Sequence, residues 1–303
     1  MSVDALHSGA VISAGENEAR TPAPQRRRRP IRFSRVFVSA AIGLVILLPL
    51  FPLYWLVISS LKSPQETLQY PPSWFPAHPT ISPFKEAFDS VPFAHAFFNS
   101  FLYAGTATIS VLVTSMMAGY VFAKYRFRGR DVLFWVIVGT MFMPPIVTLV
   151  PLYWMISRLG LSDSYLGVVL PWLANAFGVF LMRQFMGDVP DELIDAARVD
   201  GASELRILWQ VVAPLMRPAI VTLGVFAFVY YWNNFLWPLT VLQTATKYPV
   251  VLSLAQLLSF NMSARFENVV LAGALVASLP TIVVFLFAQR VFVQGISRVG
   301  VKG

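Results

Sequence analysis

Six apolar stretches, each close to the length needed to cross a membrane, limit what this 303-residue chain can fold into. A helix of about 20 apolar residues crosses the roughly 30 Å of hydrocarbon in a bilayer. Only 13% of the residues are charged, against about 25% in an ordinary soluble domain. The sequence therefore predicts an all-α integral membrane protein with six transmembrane helices. The six stretches cover residues 36–60, 99–122, 132–156, 164–182, 218–240 and 269–289.

The distribution of Lys and Arg predicts the side of the membrane on which each connection lies. With six spans, both termini and two of the connections share one side, which carries 18 of the 23 cations, and the other side carries 5. Cytoplasmic connections of membrane proteins carry the excess of Lys and Arg. We therefore expect a multi-pass membrane protein with both termini and the 183–217 connection in the cytoplasm.

The same pattern divides the chain into three parts. Residues 1–35 form a basic tail that lacks apolar periodicity and is predicted to be disordered, residues 36–293 form the six-helix domain, and residues 294–303 form a cytoplasmic C-terminal tail. The run Arg26–Arg29 could bind nucleic acid. We favour the interpretation that this run is a topology signal in front of the first span. We therefore expect no nucleic-acid partner, and we expect membrane lipid to be a partner of the chain.

Residues for catalysis or metal binding are missing from the sequence. The chain has no Cys and only three scattered His, so no metal site is predicted. Gly295 and Gly300 have the spacing of a phosphate-binding loop, but Val301 follows where Lys is required. The apolar stretches hold no Asp, Glu, Lys, Arg or His, whereas ion-coupled carriers usually place such groups in the membrane. The sequence predicts no catalytic residue and no bound cofactor, so energy comes from a partner or the path is passive.

The charged segment 188–217 stands out between two apolar stretches. Asp188 is predicted to cap a helix with Pro190 in its first turn, and Gly201 to end it in the left-handed conformation. Ser203 is predicted to cap a second helix, 204–212, that stops before Pro214. The first helix is predicted to have a small apolar face, formed by Leu193, Ala196 and Ala197.

The spacing in this segment resembles the EAA loop of permease subunits of binding-protein-dependent ABC importers. Asp195-Ala196-Ala197 is followed after three residues by Gly201, and nine residues later by Val211-Val212-Ala213-Pro214. Asp195 replaces the family's Glu, Val211 its Ile and Ala213 its Leu. Other segments are similar to the smaller permease subunit of maltose-type carbohydrate importers: Asn99-Ser100, Trp232 to Phe235, and the terminus from Gly295 to Gly303.

The resemblance implies a function and a set of partners. The chain would be a permease subunit of an ATP-driven importer for a di- or oligosaccharide or a related polyol or glycerophosphodiester. Its partners would be a homologous larger permease, two copies of a cytoplasmic ABC ATPase that bind ATP and Mg, and an extracytoplasmic sugar-binding protein. The charged segment would hold the coupling helix, between the fourth and fifth spans. The implied ATPase-coupling residues are Glu192, Asp195, Ala196, Ala197, Arg198, Asp200, Gly201, Ala202, Ser203 and Pro214, with Gly295 and Lys302 of the C-terminal tail as a further contact.

Neutral polar and aromatic residues in the spans are candidates for the substrate path. A sugar requires neutral hydrogen-bonding groups and aromatic rings, and the fifth stretch is rich in both. Helix–helix packing and an interfacial aromatic belt are alternative roles for the same residues. The alternative for the whole chain is a passive six-helix channel or facilitator for a small neutral solute, which would not need the charged segment. The candidate path residues are Asn99, Tyr231, Asn233, Asn234 and Trp237.

Two further expectations concern the connections. Pro144, Pro145 and Pro151 are predicted to kink the third span, because proline lacks the amide donor of the helical ladder. The proline-rich segment 62–95 is predicted to lie outside as extended pieces with a short helix near Pro83–Asp89. Residues 241–268 are predicted to form the last outer loop.

Overall fold

The computed structural model describes residues 33–260 and 267–299, with side chains described for 37–259 and 267–289. Regular structure in these ranges is helical throughout, as predicted. The contacts divide the chain into two units at the Phe51–Pro52 bond, inside the first helix. The α-helices are α1 Phe33–Ser60, α2 Pro64–Thr67, α3 Ser82–Ser90, α4 Phe93–Lys124, α5 Arg130–Gly139, α6 Pro145–Arg158, α7 Tyr165–Val169, α8 Ala176–Gly187, α9 Asp191–Val199, α10 Glu204–Arg206, α11 Ala213–Leu215, α12 Arg217–Trp232, α13 Leu236–Val241, α14 Val250–Phe260 and α15 Glu267–Val299.

Four helical segments of the described residues are long and apolar enough to cross a membrane. They are Phe37–Ser60, Phe93–Lys124, Tyr165–Gly187 and Glu267–Gln289. Two bent pairs also qualify: Arg130–Phe142 with Pro145–Arg158, at 104°, and Glu204–Leu215 with Arg217–Trp232, at 88°. The structure thus supports a multi-pass membrane protein with four to six candidate spans, and six is reached if each bent pair counts as one.

The bend between α5 and α6 lies at the predicted prolines. Pro144 is extended, with ψ at 132°, and α6 begins at Pro145. Neither proline can donate to the helical ladder, so the chain turns by 104° there. Helix α6 continues through Pro151 to Arg158. The predicted kink is therefore confirmed at Pro144-Pro145, and no helix break occurs at Pro151.

Helix α4 lies at the centre of the packing within residues 52–299. Its most extensive contacts are with α8 and α12, and α12 in turn packs against α15. Small residues allow the close approach of α8: a Cβ added to Gly119 would lie 2.6 Å from Cβ of Met182, and one added to Gly178 would lie 2.2 Å from Oγ of Ser115. Gly119 is thus a point of close contact between α4 and α8. At Gly105, in contrast, an added Cβ meets nothing within 4 Å.

The connections agree with the predictions at one place and differ at two. Helix α3, Ser82–Ser90, is the predicted short helix of the outer segment. The last outer connection was predicted as a loop, but it contains the apolar helix α14, Val250–Phe260, which is too short to be recognised as a span. Helix α15 continues to Val299, so the predicted boundary at residue 294 falls inside a helix. Residues 33–35 of the predicted disordered tail belong to α1, and the rest of that tail, with the run Arg26–Arg29, lies outside the described residues.

Candidate coupling segment and transport path

Helix α9 begins later than the sequence predicted. Asp188 ends α8 as its C-cap, and Pro190 is the residue that precedes the first turn of α9. Pro190 is extended, with φ at −60° and ψ at 132°, so the helix starts only at Asp191. The predicted capping role of Asp188 is therefore wrong. The acidic residues of the first turn, Asp191 and Glu192, still lie at the positive end of the helix, where negative charge is favourable.

The end of α9 has the geometry predicted for Gly201. This glycine has φ at +78°, a conformation that side chains with a Cβ rarely adopt. Its N–H donates to the carbonyl of Arg198 at 3.0 Å, and the N–H of Ala202 donates to the carbonyl of Ala197 at 3.0 Å. These two bonds form a Schellman motif, which satisfies carbonyls that the helix end would leave unpaired.

The second helix of the segment is longer and less regular than predicted. Ser203 precedes it as its N-cap, but the Ser203 side chain accepts no capping hydrogen bond. After α10 the chain forms a π-helical turn, Ile207–Val212, and then α11, which passes through Pro214 and ends at Leu215. The predicted stop before Pro214 is wrong. The wider turn lies directly before this proline, whose missing N–H would interrupt an ordinary α-helical ladder.

The buried face of α9 differs from the predicted one. Ile194 is 2% exposed and belongs to the hydrophobic core, and Ala197 packs against that core from its edge. Leu193 and Ala196 are exposed. Together with Val199, which is 88% exposed, they form a row at positions i, i+3 and i+6 that we call the outer row. The prediction that Leu193, Ala196 and Ala197 share one face is therefore wrong for Ala197.

An ion-pair network closes the segment and joins it to α4. The guanidinium of Arg198 donates from Nε to Oε1 of Glu204 at 2.8 Å and from Nη1 to Oδ1 of Asp195 at 3.0 Å. The hydroxyl of Tyr120, in α4, donates to Oε2 of Glu204 at 2.8 Å. The bonds from Arg198 lower the pKa of Glu204 to about 2. Glu204 therefore remains ionised and links α9, α10 and α4.

A second contact joins the start of α9 to the end of α4. Nζ of Lys124 lies 2.6 Å from Oδ1 of Asp191 and also donates to the carbonyl of Val189. The Lys124 ammonium lowers the pKa of Asp191. The segment is thus attached to the same central helix at both ends of α9. Among the other predicted coupling residues, those that are exposed are Glu192, Asp200, Ser203 and Pro214.

The two predicted contact residues of the C-terminal tail are described only in part. Gly295 lies within α15, and its surroundings are outside the described side chains. Lys302 lies outside the described residues.

Asn99 lies inside the packed helices and has all its polar groups engaged. It is 1% exposed. Its Nδ2 donates to the carbonyls of Thr246 at 2.8 Å and Tyr248 at 3.1 Å, and its Oδ1 accepts from the hydroxyl of Tyr165 at 3.0 Å. Asn99 therefore ties α4 to the connection between α13 and α14.

The polar cluster of the predicted fifth span coincides with a break in the helix. Helix α12 ends at Trp232 and α13 starts at Leu236. Nδ2 of Asn233 donates to the carbonyl of Val229 at 2.8 Å, in its own helix, and Oδ1 of Asn234 accepts from the N–H of Trp237 at 3.3 Å. Both hydrogen bonds are local to the break, and the role of these residues in helix–helix packing or in the path stays a prediction.

The two aromatic candidates of this cluster are buried. Tyr231 is 5% exposed, and its ring centroid lies 4.9 Å from that of Trp172. Trp237 is also 5% exposed, and its Nε1 donates to the carbonyl of Val168 at 3.1 Å. Both rings fix α12 and α13 against the helices of the fourth span.

A second break, which the sequence analysis missed, lies in the fourth span between Trp172 and Ala176. The carbonyl of Leu173 at this break accepts hydrogen bonds from Ser110 at 2.9 Å and Thr114 at 3.1 Å. Non-helical backbone at membrane depth is tolerated where it is buried in protein or lines a water-filled cavity. The sequence signal for this break was Asn175, because asparagine is a preferred N-cap residue. Its side chain accepts from the N–H of Gly178 and caps α8.

Exposed side chains connect the two helix breaks. We call them the exposed strip, and they belong to α8, α12 and the two breaks. Phe177 and Phe226 meet edge to face with ring centroids 6.5 Å apart. The strip consists of Leu173, Phe177, Phe226, Tyr230 and Asn233.

A carboxylate that the sequence analysis did not single out joins the α6–α7 connection to the α13–α14 connection. Asp163, at a φ of +52°, accepts from the backbone N–H groups of Gln243 at 2.9 Å and Thr244 at 3.0 Å. Nζ of Lys247 lies 3.0 Å from its Oδ2. The hydroxyl of Thr244, the two N–H groups and Lys247 hold the pKa of Asp163 far below its ordinary value.

Comparison with known proteins identifies relatives along most of the chain. Residues 110–298 match the family described as binding-protein-dependent transport system inner membrane component. The arabinooligosaccharides transport system permease protein AraQ of Bacillus subtilis (strain 168) is 34% identical over 277 residues, which cover 89% of this chain and 96% of AraQ. The sn-glycerol-3-phosphate transport system permease protein UgpE of Yersinia enterocolitica is 33% identical over 267 residues, 86% of this chain and 95% of UgpE.

Two solved structures share the fold. One chain in a crystal structure of a bacterial ABC transporter involved in the import of the acidic polysaccharide alginate aligns with a TM-score of 0.77 and 25% identity, covering 89% of this chain and 99% of that chain. A chain in a structure of a bacterial alginate ABC transporter in complex with alginate pentasaccharide-bound periplasmic protein aligns with a TM-score of 0.59 and 16% identity, covering 85% and 94% of the two chains.

Proposed function

The chain belongs to the family of binding-protein-dependent transport system inner membrane components, and we propose that it is the smaller permease subunit of an ATP-driven importer for a carbohydrate. The observation that carries this proposal is the 34% identity with AraQ over 89% of the chain. The substrate class is a di- or oligosaccharide, with a polyol or a glycerophosphodiester as related compounds, in line with the similarity to both AraQ and UgpE.

The proposed topology has six spans, with both termini and α9 in the cytoplasm. It counts the α5–α6 pair as one span, begins the fifth span after Arg217 in α12, and follows the excess of Lys and Arg on one side. The chain contains no native Cys, so single cysteines report accessibility directly. Ser203→Cys should react with an impermeant reagent only from the cytoplasmic side, and Ala77→Cys, on the opposite side, only from outside. Both positions are exposed. Labelling of both from one side would overturn this topology.

We propose that α9 is the coupling helix through which partner ATPases move this subunit. Two features support the role: the outer row leaves Leu193, Ala196 and Val199 exposed for a partner surface, and both ends of α9 are joined to α4. A displacement of α9 pulls on α4 through Glu204–Tyr120 at one end and Asp191–Lys124 at the other. Because α4 packs on α8 and α12, the motion reaches the helices that carry the exposed strip.

The proposed assembly contains the partners that such a coupling requires. Two copies of an ABC ATPase bind ATP and Mg and supply the energy, and this chain itself is non-catalytic. Gly295 and Lys302 are proposed to make the second contact with an ATPase copy. A homologous larger permease forms the other half of the path. An extracytoplasmic sugar-binding protein delivers the substrate, which is supported by the structural neighbour in complex with a ligand-bound periplasmic protein.

The proposed substrate path follows the exposed strip. Tyr230 and Asn233 offer an aromatic ring and an amide at its surface, which suit a sugar because sugars present both C–H faces and hydroxyl groups. Asn99, Tyr231 and Trp237 position the path from behind, since their polar groups are used within the chain. Asn234 stabilises the helix break by accepting from the N–H of Trp237, in the first turn of α13.

The proposal is tested by transport in vesicles. The chain is co-reconstituted with the partner permease, ATPase and binding protein, and uptake of labelled arabinooligosaccharide and of sn-glycerol 3-phosphate is measured with and without ATP. We expect uptake of the carbohydrate that depends on both ATP and the binding protein. Flux that runs equally without ATP would contradict the importer and favour the passive channel.

A further inference from the structure

A basic cavity lies at the turn between α4 and α5, beside the coupling segment. Its volume is about 600 Å³, and Arg126 and Arg130 are among its lining residues. Two carboxylates also line it, but each already has a cationic partner: Asp191 pairs with Lys124 at 2.6 Å, and Asp131 pairs with Arg183 at 2.9 Å and with Arg130 at 3.2 Å. The full lining is Ala123, Lys124, Arg126, Phe127, Gly129, Arg130, Asp131, Val132 and Asp191.

Positive charge remains after these pairs are formed. Arg126 lines the cavity and is exposed, and among the described residues no hydrogen bond or ion pair uses its guanidinium. Arg128, on the same turn, is exposed and has no such partner in the described part of the chain either. The cavity therefore has one unused guanidinium group in its lining, that of Arg126, and a second beside it on the same turn, that of Arg128. Guanidinium groups bind phosphate well because their donors match its oxygens.

An apolar surface continues from the cavity along α5. Val132 lines the cavity and is 71% exposed, and Trp135 and Val136 follow it on the same helix with 64% and 61% exposed. Phe127 extends this surface at the turn itself and is 42% exposed. A ligand that fits both parts has an anionic head and apolar chains. A soluble phosphate compound would use only the basic part.

We propose that this cavity binds the head group of an anionic phospholipid, with its acyl chains along the exposed face of α5. The phosphate lies near Arg126 and Arg128, at the level where the proposed topology places the cytoplasmic surface of the membrane. Basic pockets on the cytoplasmic side of membrane helices bind anionic head groups, and each Lys or Arg near the surface strengthens such binding about five-fold. This inference rests on the proposed topology but not on the transport activity.

The position of the site gives it a consequence for coupling. Lys124 lines the cavity and also holds Asp191, the first residue of α9. A bound phosphate therefore acts on the same ammonium that ties α9 to α4. We expect occupation of the site to change how firmly the start of α9 is attached.

The test measures lipid retention on the full chain, in complex with its partner subunits. The complex is placed in nanodiscs of phosphatidylcholine with about one third phosphatidylglycerol, released into mild detergent and analysed by native mass spectrometry. We expect the wild type to retain phosphatidylglycerol in preference to phosphatidylcholine. Arg126→Gln with Arg128→Gln should lower this retention by more than ten-fold, because two charges near the surface are removed.

The matched control removes the same kind of charge at the other side of the proposed membrane. Arg158→Gln changes an exposed arginine at the end of α6 and should leave retention of phosphatidylglycerol unchanged. Equal retention by the wild type and the double variant would overturn the proposal. Displacement of all the retained phosphatidylglycerol by inorganic phosphate alone would also overturn it, because that result indicates a soluble ligand. Loss of the ATPase from the double variant without loss of lipid would overturn it too, because that result indicates a protein occupant. Lipid retention is measured without transport. If the importer proposal fails, uptake is lost while the difference in lipid retention between the wild type and the double variant remains.

Discussion

The two ends of helix α4 are attached to the rest of the chain by different kinds of contact. At the end near Phe93, which is the outer end in the proposed topology, buried side chains bond to backbone atoms: Asn99 and Tyr103 donate to carbonyls between Thr246 and Tyr248, and Ser100 accepts from the N–H of Val250. At the other end, which is the inner end in the proposed topology, buried Tyr120 and Lys124 bond mainly to carboxylates that are themselves partly or largely exposed, Glu204 and Asp191.

This difference separates a structural role from a transmitting one. Buried bonds to backbone groups are costly to lose, because the freed carbonyls find no water. Exposed ion pairs contribute little to stability and exchange partners readily. We therefore interpret the outer end of α4 as fixed and the inner end, at α9, as the end that responds to a partner.

The largest expected effect is at the outer end. Asn99→Leu removes an amide that serves three polar groups, and leaves the carbonyls of Thr246 and Tyr248 unpaired. We expect the free energy of unfolding to fall by about 3 kcal/mol. Thermal unfolding in detergent measures it. Asn233→Ala is the matched control, since that exposed amide bonds only within its own helix, and it should change stability little. Similar losses of unfolding free energy in both variants would contradict the structural role assigned to Asn99.

The next effect concerns the turn of the coupling segment. Gly201 has φ at +78°, and a Cβ there would meet nothing within 4 Å. Gly201→Val therefore adds backbone strain without a clash, at about 1–2 kcal/mol. Gly201→Asn should cost much less, because asparagine tolerates the left-handed conformation. Comparing the unfolding of the two variants isolates the strain, and an equal loss in both would argue that the space around the turn matters instead.

The smallest effect is at the inner ion network. The pKa of Glu204 is lowered to about 2 from the ordinary 4.5. Its contribution to the free energy of unfolding is therefore complete above pH 4.5 and is lost as the pH falls toward 2. Because the side chains of Arg198 and Glu204 are 38% and 44% exposed, the contribution is below about 1 kcal/mol. Glu204→Gln should lack this pH dependence between about pH 4.5 and 2. The same slope in variant and wild type would assign it to another carboxylate.

The inner end was predictable from the sequence to a greater extent than the outer end. Gly201 was assigned correctly because the need for positive φ is local. The hydrogen bonds of Asn99 to two carbonyls were not predicted, because these partners lie 147 and 149 residues away in the sequence. Helix periodicity also did not identify Ile194 as the buried residue of α9, since burial depends on where α4 and the π-helical turn lie.

These corrections change which substitution tests the coupling. Ala197 packs against the core, so a large residue there would disturb the segment itself. Ala196 belongs to the outer row and is exposed, so Ala196→Trp changes only the surface offered to a partner. Ala77→Trp, an exposed alanine in the outer segment, is the control for the size of the side chain.

The most direct test of the account measures ATP hydrolysis and uptake in the same vesicles. The reconstituted importer is compared with its Ala196→Trp and Ala77→Trp variants, with assembly checked by co-purification of the ATPase. The account predicts that Ala196→Trp loses uptake, either because the ATPase no longer associates or because hydrolysis continues without transport, and that Ala77→Trp retains ATPase association and coupled hydrolysis. Wild-type uptake and hydrolysis in Ala196→Trp would contradict the claim that α9 transmits the motion.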